Sequence, residues 1–315
     1  MASAREVLTP DALSLVQTVA DHGSFAAAAR VLGLVPSAVT YRIRQLEDAL
    51  DVLLFDRSSR QARLTAAGSE LISAGQQLLQ DIDAMANRVR RVATGWEAEF
   101  TIAVDTSLSG STMMELAEAF YALQPTTRLR LCEEALAGTL EAVTTGRADL
   151  ALGVVVEPGT TPGVQSHDLG DLQFVYCVAP HHPLAGADQP IPDETLVRHR
   201  AVAVSDSTQQ RGQAITMALL PGQDVFTVGT MRAKLYAQLR GRGGGFLPEP
   251  LARPWLESGR LVRRETQRAS RRTVRLGYAW RSVGNLGPGR ALQWWLTQLE
   301  SPTTRSALLE RHRFA

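Results

Sequence analysis

The pattern of apolar and polar positions is clearest between Ser24 and Glu47. Ser24 is a favourable N-cap, the alanine-rich segment after it favours a helix, and Gly33 is suited to end that helix. Pro36 suits the first turn of a second helix, whose apolar positions recur at helical spacing. These positions are Val39, Ile43, Leu46 and Leu50. The opposite face is polar and basic, so the pattern predicts a helix-turn-helix, with an ordinary helical hairpin as the alternative.

Similar signals flank these two helices. Thr9-Pro10 opens a preceding helix, with the proline in its first turn. Between Val52 and Leu64, two short apolar runs enclose a polar, basic loop, which predicts a β-hairpin wing. The alternative for this segment is a solvated surface hairpin.

A long helix is predicted over residues 66–93, with Thr65 as its cap. Its apolar positions step by threes and fours, which is typical of a coiled-coil seam, and Gly75 occupies the one interrupted position. The seam positions are Leu71, Leu78, Ile82, Met85, Val89 and Val92. A helix packed on its own chain is the alternative, but the polar cover of the other faces favours dimerisation.

The period changes after Gly95, where strands and helices begin to alternate. Strands are predicted at 100–104, 129–131 and 149–156, and helices at 113–123 and 140–145. Proline and glycine between 158 and 163 mark a crossing point, and a second alternation runs from 172 to 247. A strand at 274–280 and a helix at 291–299 are predicted to return to the first lobe. The alternation favours a mainly parallel sheet covered on both faces.

Composition and charge narrow the function classes. The 315 residues allow about two or three domains, and the net charge of +1 gives no global basic signature. The arginines are nevertheless grouped, in the second helix and in the predicted wing. Cys132 and Cys177 lie far apart without a CxxC pattern, which argues against a disulfide framework or a zinc site. No apolar run approaches the length of a signal or transmembrane segment, so we expect a cytoplasmic protein without a membrane partner.

Four blocks of the N-terminal part resemble the DNA-binding module of LysR-type transcriptional regulators. They are SFAAAA at 24–29, Leu32, VPSAVTYRIRQLE at 35–47 and LLFDRSSRQARLTAAG at 53–68. One position departs from the family: Pro36 stands where many members have a glutamine that contacts a base, so that contact is absent here. The blocks GRADLALGVV at 146–155, YCVAPHHPLAG at 176–186 and GRGGGFLPEPL at 241–251 resemble the effector-binding part of the same family.

This resemblance implies a specific α/β architecture. It consists of a winged helix-turn-helix DNA-binding domain (1–65), a coiled-coil linker helix for dimerisation (66–93) and a two-lobed α/β effector-binding domain (94–302). The last resembles periplasmic binding proteins, with lobe 1 at 94–164 and 270–302 and lobe 2 at 165–269. Residues 303–315 are expected to be a charged terminal extension. The implied partners are double-stranded DNA, a small-molecule effector and further copies of the chain, as a homodimer and, by resemblance, a homotetramer.

Candidate DNA contacts lie on the second helix and the wing. The contacts expected in the major groove are Ser37, Ala38, Thr40, Tyr41 and Arg42. Ser24 and Arg44 are expected to contact phosphates. On the wing, the expected contacts are Arg57 and Arg60. An arginine at the tip of a wing can enter the minor groove.

Candidate effector contacts lie at strand ends and helix starts, where free N–H groups and hydroxyls converge. They are Asp105, Thr106, Ser107, Val155, Ser205, Ser207, Thr230 and Met231. The alternative is that these hydroxyls only cap helices. Asp105 at the mouth of the cleft favours an effector with an amine, although Arg128 or Arg130 could neutralise it.

Other chemistry is weakly indicated. The adjacent His181 and His182 lack a third ligand at metal spacing, and no GK[ST] follows the glycines at 243–245, which are better explained as a helix-to-strand turn. The 205–207 segment contains serine and aspartate but no positioned base. We therefore expect no cofactor, no metal and no enzyme activity. The arginines between 260 and 275 form a solvated face, an acidic interface or a second DNA contact. A solute-binding protein, or an enzyme with an accessory DNA module, is the alternative function.

Overall fold

The computed structural model describes residues 4–56, 62–155, 161, 163–209, 218–268, 271–281 and 287–312. The chain divides into two compact units, Met1–Ala86 and Asn87–Ala315. The first unit is helical with a short hairpin, and the second is built around a β-sheet.

Local sequence signals set the ends of the helices in the first unit. The Ser24 hydroxyl accepts a hydrogen bond from the Ala27 N–H at 3.4 Å, and the helix it caps ends at Gly33. Both Gly23 and Gly33 adopt left-handed φ values, 60° and 66°, which glycine tolerates without a steric penalty. Within the described residues, the helices that begin in this unit are α1 (Ala4–Val7), α2 (Pro10–His22), α3 (Phe25–Leu32), α4 (Pro36–Leu50) and α5 (Ala66–Thr94).

The core of the first unit joins three helices to the hairpin. Val19 of α2, Ile43 of α4 and Phe55 are completely buried together. The antiparallel strands are β1 (Phe55–Asp56) and β2 (Arg63–Leu64). Glu47 of α4 is also buried, and its carboxylate accepts hydrogen bonds from the N–H groups of Leu54 at 3.0 Å and Phe55 at 3.4 Å. The predicted helix-turn-helix and its wing are confirmed, and Glu47 attaches the wing to α4.

Helix α5 covers 29 residues, as the apolar spacing predicts. Near its start, Leu71 and Ile72 pack against the core of the first unit. Gly75 is buried against α2, where an added Cβ would lie 3.0 Å from the Cδ2 of Leu13. Leu71 and Gly75 thus contact their own chain, so the interruption at Gly75 is a packing contact and Leu71 is partly covered without a second copy.

The second unit alternates strands and helices through most of its length. Within the described residues its strands are β3 (Glu99–Asp105), β4 (Arg128–Glu134), β5 (Leu150–Val154), β6 (Val164–Val178), β7 (Ala201–Val204), β8 (Val225–Val228), β9 (Gly245–Pro248), β10 (Val262–Arg264) and β11 (Arg271–Arg281). Its helices there are α6 (Gly110–Tyr121), α7 (Ala137–Thr144), α8 (Asp193–Leu196), α9 (Met231–Leu239), α10 (Glu249–Glu257), α11 (Arg290–Glu300) and α12 (Pro302–Glu310). The apolar pattern does not predict β10, α10 or α12.

The main sheet is mixed, whereas a mainly parallel sheet was expected. Its order is β10-β6-β11-β5-β3-β4, and β9 also pairs with β6. Strand β3 is parallel to β4 and β5, because helices α6 and α7 provide the crossover connections that parallel neighbours need. The long strands β6 and β11 pair antiparallel with each other and with their other neighbours. Strands β7 and β8 form a separate parallel pair.

We call the part built on β3–β5 with α6, α7, α11 and α12 lobe 1, and the part built on β7–β10 with α8–α10 lobe 2. Strands β6 and β11 contribute to both. The lobe 1 core contains Phe100, Phe120 and Trp295, all completely buried. The lobe 2 core contains Cys177 and Leu235, also completely buried. The predicted return of β11 and α11 to lobe 1 is confirmed, since β11 pairs with β5 and α11 packs in that core.

The expectation of a terminal extension at 303–315 is wrong for most of that segment. Helix α12 buries Ala307, Leu308 and Leu309, and the two leucines belong to the lobe 1 core. The Ser109 N–H of α6 donates to the Leu308 carbonyl at 2.8 Å, which attaches α12 to lobe 1. Only three consecutive apolar residues stand among charged ones here, so the sequence carries too short a pattern to predict the helix.

Candidate functional site

Helix α4 presents a polar and basic face to solvent, because its apolar residues are buried in the core of the first unit. Tyr41 is 63% exposed, and its hydroxyl accepts a hydrogen bond from the Gln45 Nε2 at 3.0 Å. The Thr40 hydroxyl donates to the Pro36 carbonyl at 3.0 Å. The residues predicted to meet a groove are partly or fully exposed on this helix, and they are Ser37, Ala38, Thr40, Tyr41 and Arg42.

The other predicted DNA contacts have different surroundings. Arg44 is exposed on α4, on the turn after Tyr41. The Ser24 hydroxyl is occupied as the N-cap of α3, so only its remaining hydrogen-bonding capacity could meet a phosphate. Arg57 and Arg60 lie outside the described residues.

A stripe of exposed apolar side chains follows the later part of α5. Its members alternate by fours and threes and are between 37% and 70% exposed. They are Leu78, Ile82, Met85, Val89 and Val92, which we call the α5 stripe. Large apolar side chains at this spacing are typical of a helix that is covered by another helix.

A cavity of about 510 Å³ lies between lobe 1 and lobe 2. We call it the interlobe cavity. Its wall is mostly apolar, with Leu136 from lobe 1, Val202 and Phe246 from lobe 2, and Phe174 and Tyr176 from β6. A volume of this size lies in the range of sites for small organic ligands.

Five of the predicted effector contacts line this cavity: Asp105, Thr106, Ser107, Val155 and Met231. The Thr106 hydroxyl oxygen accepts a hydrogen bond from the Met231 N–H at 3.3 Å. Thr106 follows β3 and Met231 begins α9, so this bond joins the two lobes. The structure thus brings together residues that are more than a hundred positions apart in the chain.

Asp105 is not a free carboxylate at the mouth of the cleft, contrary to expectation. It is 5% exposed, and its oxygens accept hydrogen bonds from Ser107 N at 2.8 Å, Ser107 Oγ at 2.5 Å and Leu136 N at 3.1 Å. Burial raises the pKa of the Asp105 carboxyl, and these hydrogen bonds oppose that rise. Its hydrogen-bonding capacity is largely taken up by its own chain, so its selection of an amine is not supported.

The other three predicted contacts, Ser205, Ser207 and Thr230, lie outside the lining of the interlobe cavity. The Thr230 hydroxyl caps α9 by accepting a hydrogen bond from Ala233 N at 3.1 Å. At this position the alternative, a hydroxyl that only caps a helix, describes the structure. Ser207 connects the lobes: its hydroxyl donates to the Glu134 carboxylate and accepts from Ala135 N at 2.9 Å.

The structure adds charged residues that sequence reasoning missed. Lys234 of α9 and Arg268 and Arg272 near β11 all line the interlobe cavity. Burial lowers the pKa of Lys234 to about 8. One signal was available: Lys234 is the only lysine of the chain, and it follows Met231 at i+3, which places both on one helix face.

The remaining chemistry candidates have structural roles. His182 Nδ1 accepts from Leu184 N at 3.2 Å and so caps a 3-10 turn. The glycines at 243–245 lead from α9 into β9, which confirms the predicted turn. In the arginine cluster, Arg268 forms an ion pair with Asp193, and Arg275 pairs with Asp168 at 2.9 Å.

Two family matches together cover most of the chain. Residues 10–69 match the bacterial regulatory helix-turn-helix proteins of the lysR family, and residues 93–301 match the LysR substrate binding domain. The second match alone spans more than half of the chain. The chain belongs to the LysR family of transcriptional regulators. It is therefore a DNA-binding transcriptional regulator with an effector-binding domain.

Individual relatives agree with this assignment. The chain is 37% identical over 255 residues to the HTH-type transcriptional regulator YeeY of Escherichia coli K12, covering 81% of this chain and 82% of YeeY. It is 33% identical over 292 residues to the regulator YhaJ of E. coli O157:H7, covering 93% of this chain and 96% of YhaJ. Full-length LysG from Corynebacterium glutamicum with bound effector Arg has a similar fold, with a TM-score of 0.51 at 21% identity, covering 96% of this chain and 100% of LysG.

LysR-type regulators bind DNA and small-molecule effectors and form oligomers, which agrees with the expected partners. Among the described residues of this LysR-type regulator, no helix has the length and apolar character needed to cross a membrane.

Proposed function

We propose that this LysR-type regulator reads its operator with the exposed face of α4 in the major groove. The main support is that Tyr41, Arg42 and Arg44 project from one helix whose other face is buried. Arginine can bind the O6 and N7 of guanine, and tyrosine can contact bases or phosphates. Ser37, Ala38 and Thr40 lie close to the α4 N-terminus, which is the end of a recognition helix that meets base edges. Arg57 and Arg60 of the wing are proposed contacts beside this helix.

The proposed assembly is a homodimer joined through the α5 stripe. Five apolar side chains at coiled-coil spacing are exposed on this helix, and their burial against a second copy would remove them from water. A dimer would present two α4 helices to two half-sites. A homotetramer formed by further contacts of the second unit is the larger proposed assembly.

The proposed effector site is the interlobe cavity. Its volume, its apolar wall and the converging polar groups of both lobes are the features of a small-molecule site. The fold neighbour LysG holds an effector, Arg, which supports effector control of a protein of this fold. The regulator would act by binding rather than catalysis, and it would reside in the cytoplasm with its DNA target.

A gel-shift assay on the upstream region of the protein's own gene tests the DNA-reading proposal. Arg42→Ala should weaken specific binding by about 1 to 3 kcal/mol and reduce base preference at one position, as loss of a bidentate arginine–base contact does. Arg240→Ala removes an exposed arginine from the second unit and serves as the matched control. If Arg42→Ala binds the same footprint with unchanged affinity, Arg42 has no part in readout.

A further inference from the structure

We propose that the effector of this regulator is a small organic anion with an apolar body, whose negative group pairs with the Lys234 ammonium inside the interlobe cavity. This inference rests on the proposed function, because it assumes that the effector occupies that cavity. It replaces the expectation of an amine effector, which depended on a free Asp105 carboxylate.

The first observation is the position of Lys234. Its side chain is 9% exposed, it belongs to helix α9, and it lines the interlobe cavity. Gly245 makes room for it: a Cβ on Gly245 would lie 3.1 Å from the Lys234 Cε. The aliphatic stem of Lys234 therefore passes close to the β9 backbone at Gly245. Any other residue at this position would place a Cβ against that stem.

The second observation is that Lys234 has no counter-charge. Within the described residues its ammonium forms no ion pair and no hydrogen bond. A buried charge without a partner is unfavourable, and burial accordingly lowers the pKa of Lys234 to about 8. At neutral pH the lysine is still mostly protonated, so the cavity contains an unpaired cation.

The third observation is the charge balance of the cavity wall. Among the residues that the structure describes, the charged ones in this wall are two acids and three bases. Asp193 is paired with Arg268, and Asp105 is hydrogen-bonded by Ser107 and Leu136. Arg272, like Lys234, forms no ion pair within the part of the chain that the structure describes. With Asp105 counted as ionised, the described charged residues of the wall sum to +1 (three bases minus two acids), and this net positive charge favours an anion and disfavours an amine.

A further buried polar group lies next to Lys234. The Gln238 amide is completely buried and makes no hydrogen bond among the described residues. Its Nε2 would lie 2.9 Å from a Cβ on Gly245, on the same stretch of β9 that the lysine crosses. Gln238 is neutral and is not among the residues that line the interlobe cavity, so it leaves Lys234 without a counter-charge.

The rest of the cavity determines the body of the ligand. Phe174, Tyr176 and Phe246 form much of the wall, with Leu136 and Val202. Apolar and aromatic walls of this kind bind hydrocarbon or ring groups, whereas inorganic anions would leave them in contact with water. The combination of two unpaired cations, Lys234 and Arg272, with an apolar wall therefore fits an organic carboxylate better than phosphate or sulfate.

Calorimetry on the full-length protein with three matched probes tests this inference. Phenylacetate, phenylacetamide and 2-phenylethylamine share one ring and carry a negative, a neutral and a positive group. We expect wild-type protein to bind phenylacetate at least about tenfold more tightly than the other two. Lys234→Met should weaken phenylacetate by at least about tenfold and leave phenylacetamide nearly unchanged, while Lys234→Arg should retain part of the preference.

The pH dependence provides a second readout. Phenylacetate stays ionised well above the usual carboxyl pKa, and burial raises the pKa of the neighbouring Cys177 to about 12 and that of Tyr176 above its ordinary value. Among these groups, Lys234 is therefore the one that should titrate between pH 7 and pH 9.5. Affinity should be highest below about pH 8 and should fall as the free lysine loses its proton. Lys234→Met should abolish this dependence.

A cavity-filling variant, Ala203→Trp, separates failure of the inference from failure of the proposed site, since Ala203 lines the cavity. If Ala203→Trp abolishes phenylacetate binding and Lys234→Met does not, the cavity stands and the role of Lys234 is refuted. If neither variant affects binding, the proposed effector site is itself misplaced. Preferential binding of the amine, or no saturable binding of the carboxylate by wild type, also overturns the inference.

Discussion

Replacement of Lys234 by methionine should stabilise the second unit of the protein. The lysine is buried without a counter-charge among the residues that the structure describes, and folding must therefore remove an ammonium group from water. Methionine has a similar unbranched stem and no charge, so it should retain the packing against Gly245. The expected effect is a higher free energy of unfolding in the absence of any ligand.

The magnitude follows from the pKa of the lysine. Burial lowers it from 10.5 to about 8, a difference of about 2.5 pH units. At about 1.4 kcal/mol per unit, the charged form is disfavoured in the folded state by roughly 3 kcal/mol. Because the folded pKa lies below the unfolded value, this penalty is fully present below about pH 8. It decreases as pH rises from about 8 to 10.5, where the unfolded lysine also becomes neutral.

Tryptophan fluorescence can follow this unit alone, since all five tryptophans of the chain lie between residues 96 and 295. Urea titrations at pH 7 and pH 9.5 should show a gain of roughly 3 kcal/mol for Lys234→Met at the lower pH and a smaller gain at the higher one. Arg232→Met, which removes an exposed cation from the same helix, should change stability by less than about 0.5 kcal/mol. A loss of stability, or a gain that does not depend on pH, would refute an unpaired buried ammonium.

Three further substitutions test other parts of the protein. Ile82→Asp places a charge in the α5 stripe and should dissociate the proposed dimer, which light scattering would measure. Ser73→Asp changes an exposed position on the opposite face of α5 and should leave the dimer intact. An intact dimer of the Ile82→Asp variant would contradict the proposed interface. Glu47→Ala removes the acceptor of two N–H groups, those of Leu54 and Phe55, and should lower the free energy of unfolding of the first unit by about 1 to 3 kcal/mol. Circular dichroism would measure this loss. The control Asp48→Ala, at an exposed position, should change it by less than about 0.5 kcal/mol. Leu308→Ala should cost the second unit about 2 to 5 kcal/mol in urea titration, and a near-zero cost would show that α12 is not part of the core.

Short-range signals account for the parts of the fold that were predicted well. Ser24 and Gly33 determine where α3 begins and ends, and Pro36 marks the start of α4. The apolar spacing of α5 likewise predicts its full length. The same spacing could not distinguish which partner each residue meets. Leu71 shares the period of Leu78, but it packs against its own chain.

Long-range contacts account for the parts that were missed. Helix α12 has only a short apolar segment, and its place in lobe 1 depends on α6, which begins nearly two hundred residues earlier. The expected parallel sheet was incomplete for a similar reason. Whether β6 and β11 run antiparallel depends on the path of the chain between the lobes, which the order of strands and helices along the sequence does not specify.

The charge preference of the interlobe cavity shows why site chemistry is harder to predict than site position. Five of eight predicted contacts line the cavity, because strand ends and helix starts converge there in two-lobed folds. The sign of the accessible charge depends instead on which side chains have already found partners. Asp105 is the acid that a sequence reading finds first, yet its oxygens are occupied by Ser107 and Leu136. Lys234 looks like an ordinary helix residue, yet Gly245 of a later strand leaves room for it in a buried place, where no described residue forms an ion pair with it. The cations that lack a partner, rather than the nearest acid, are therefore the feature from which the effector's charge should be inferred.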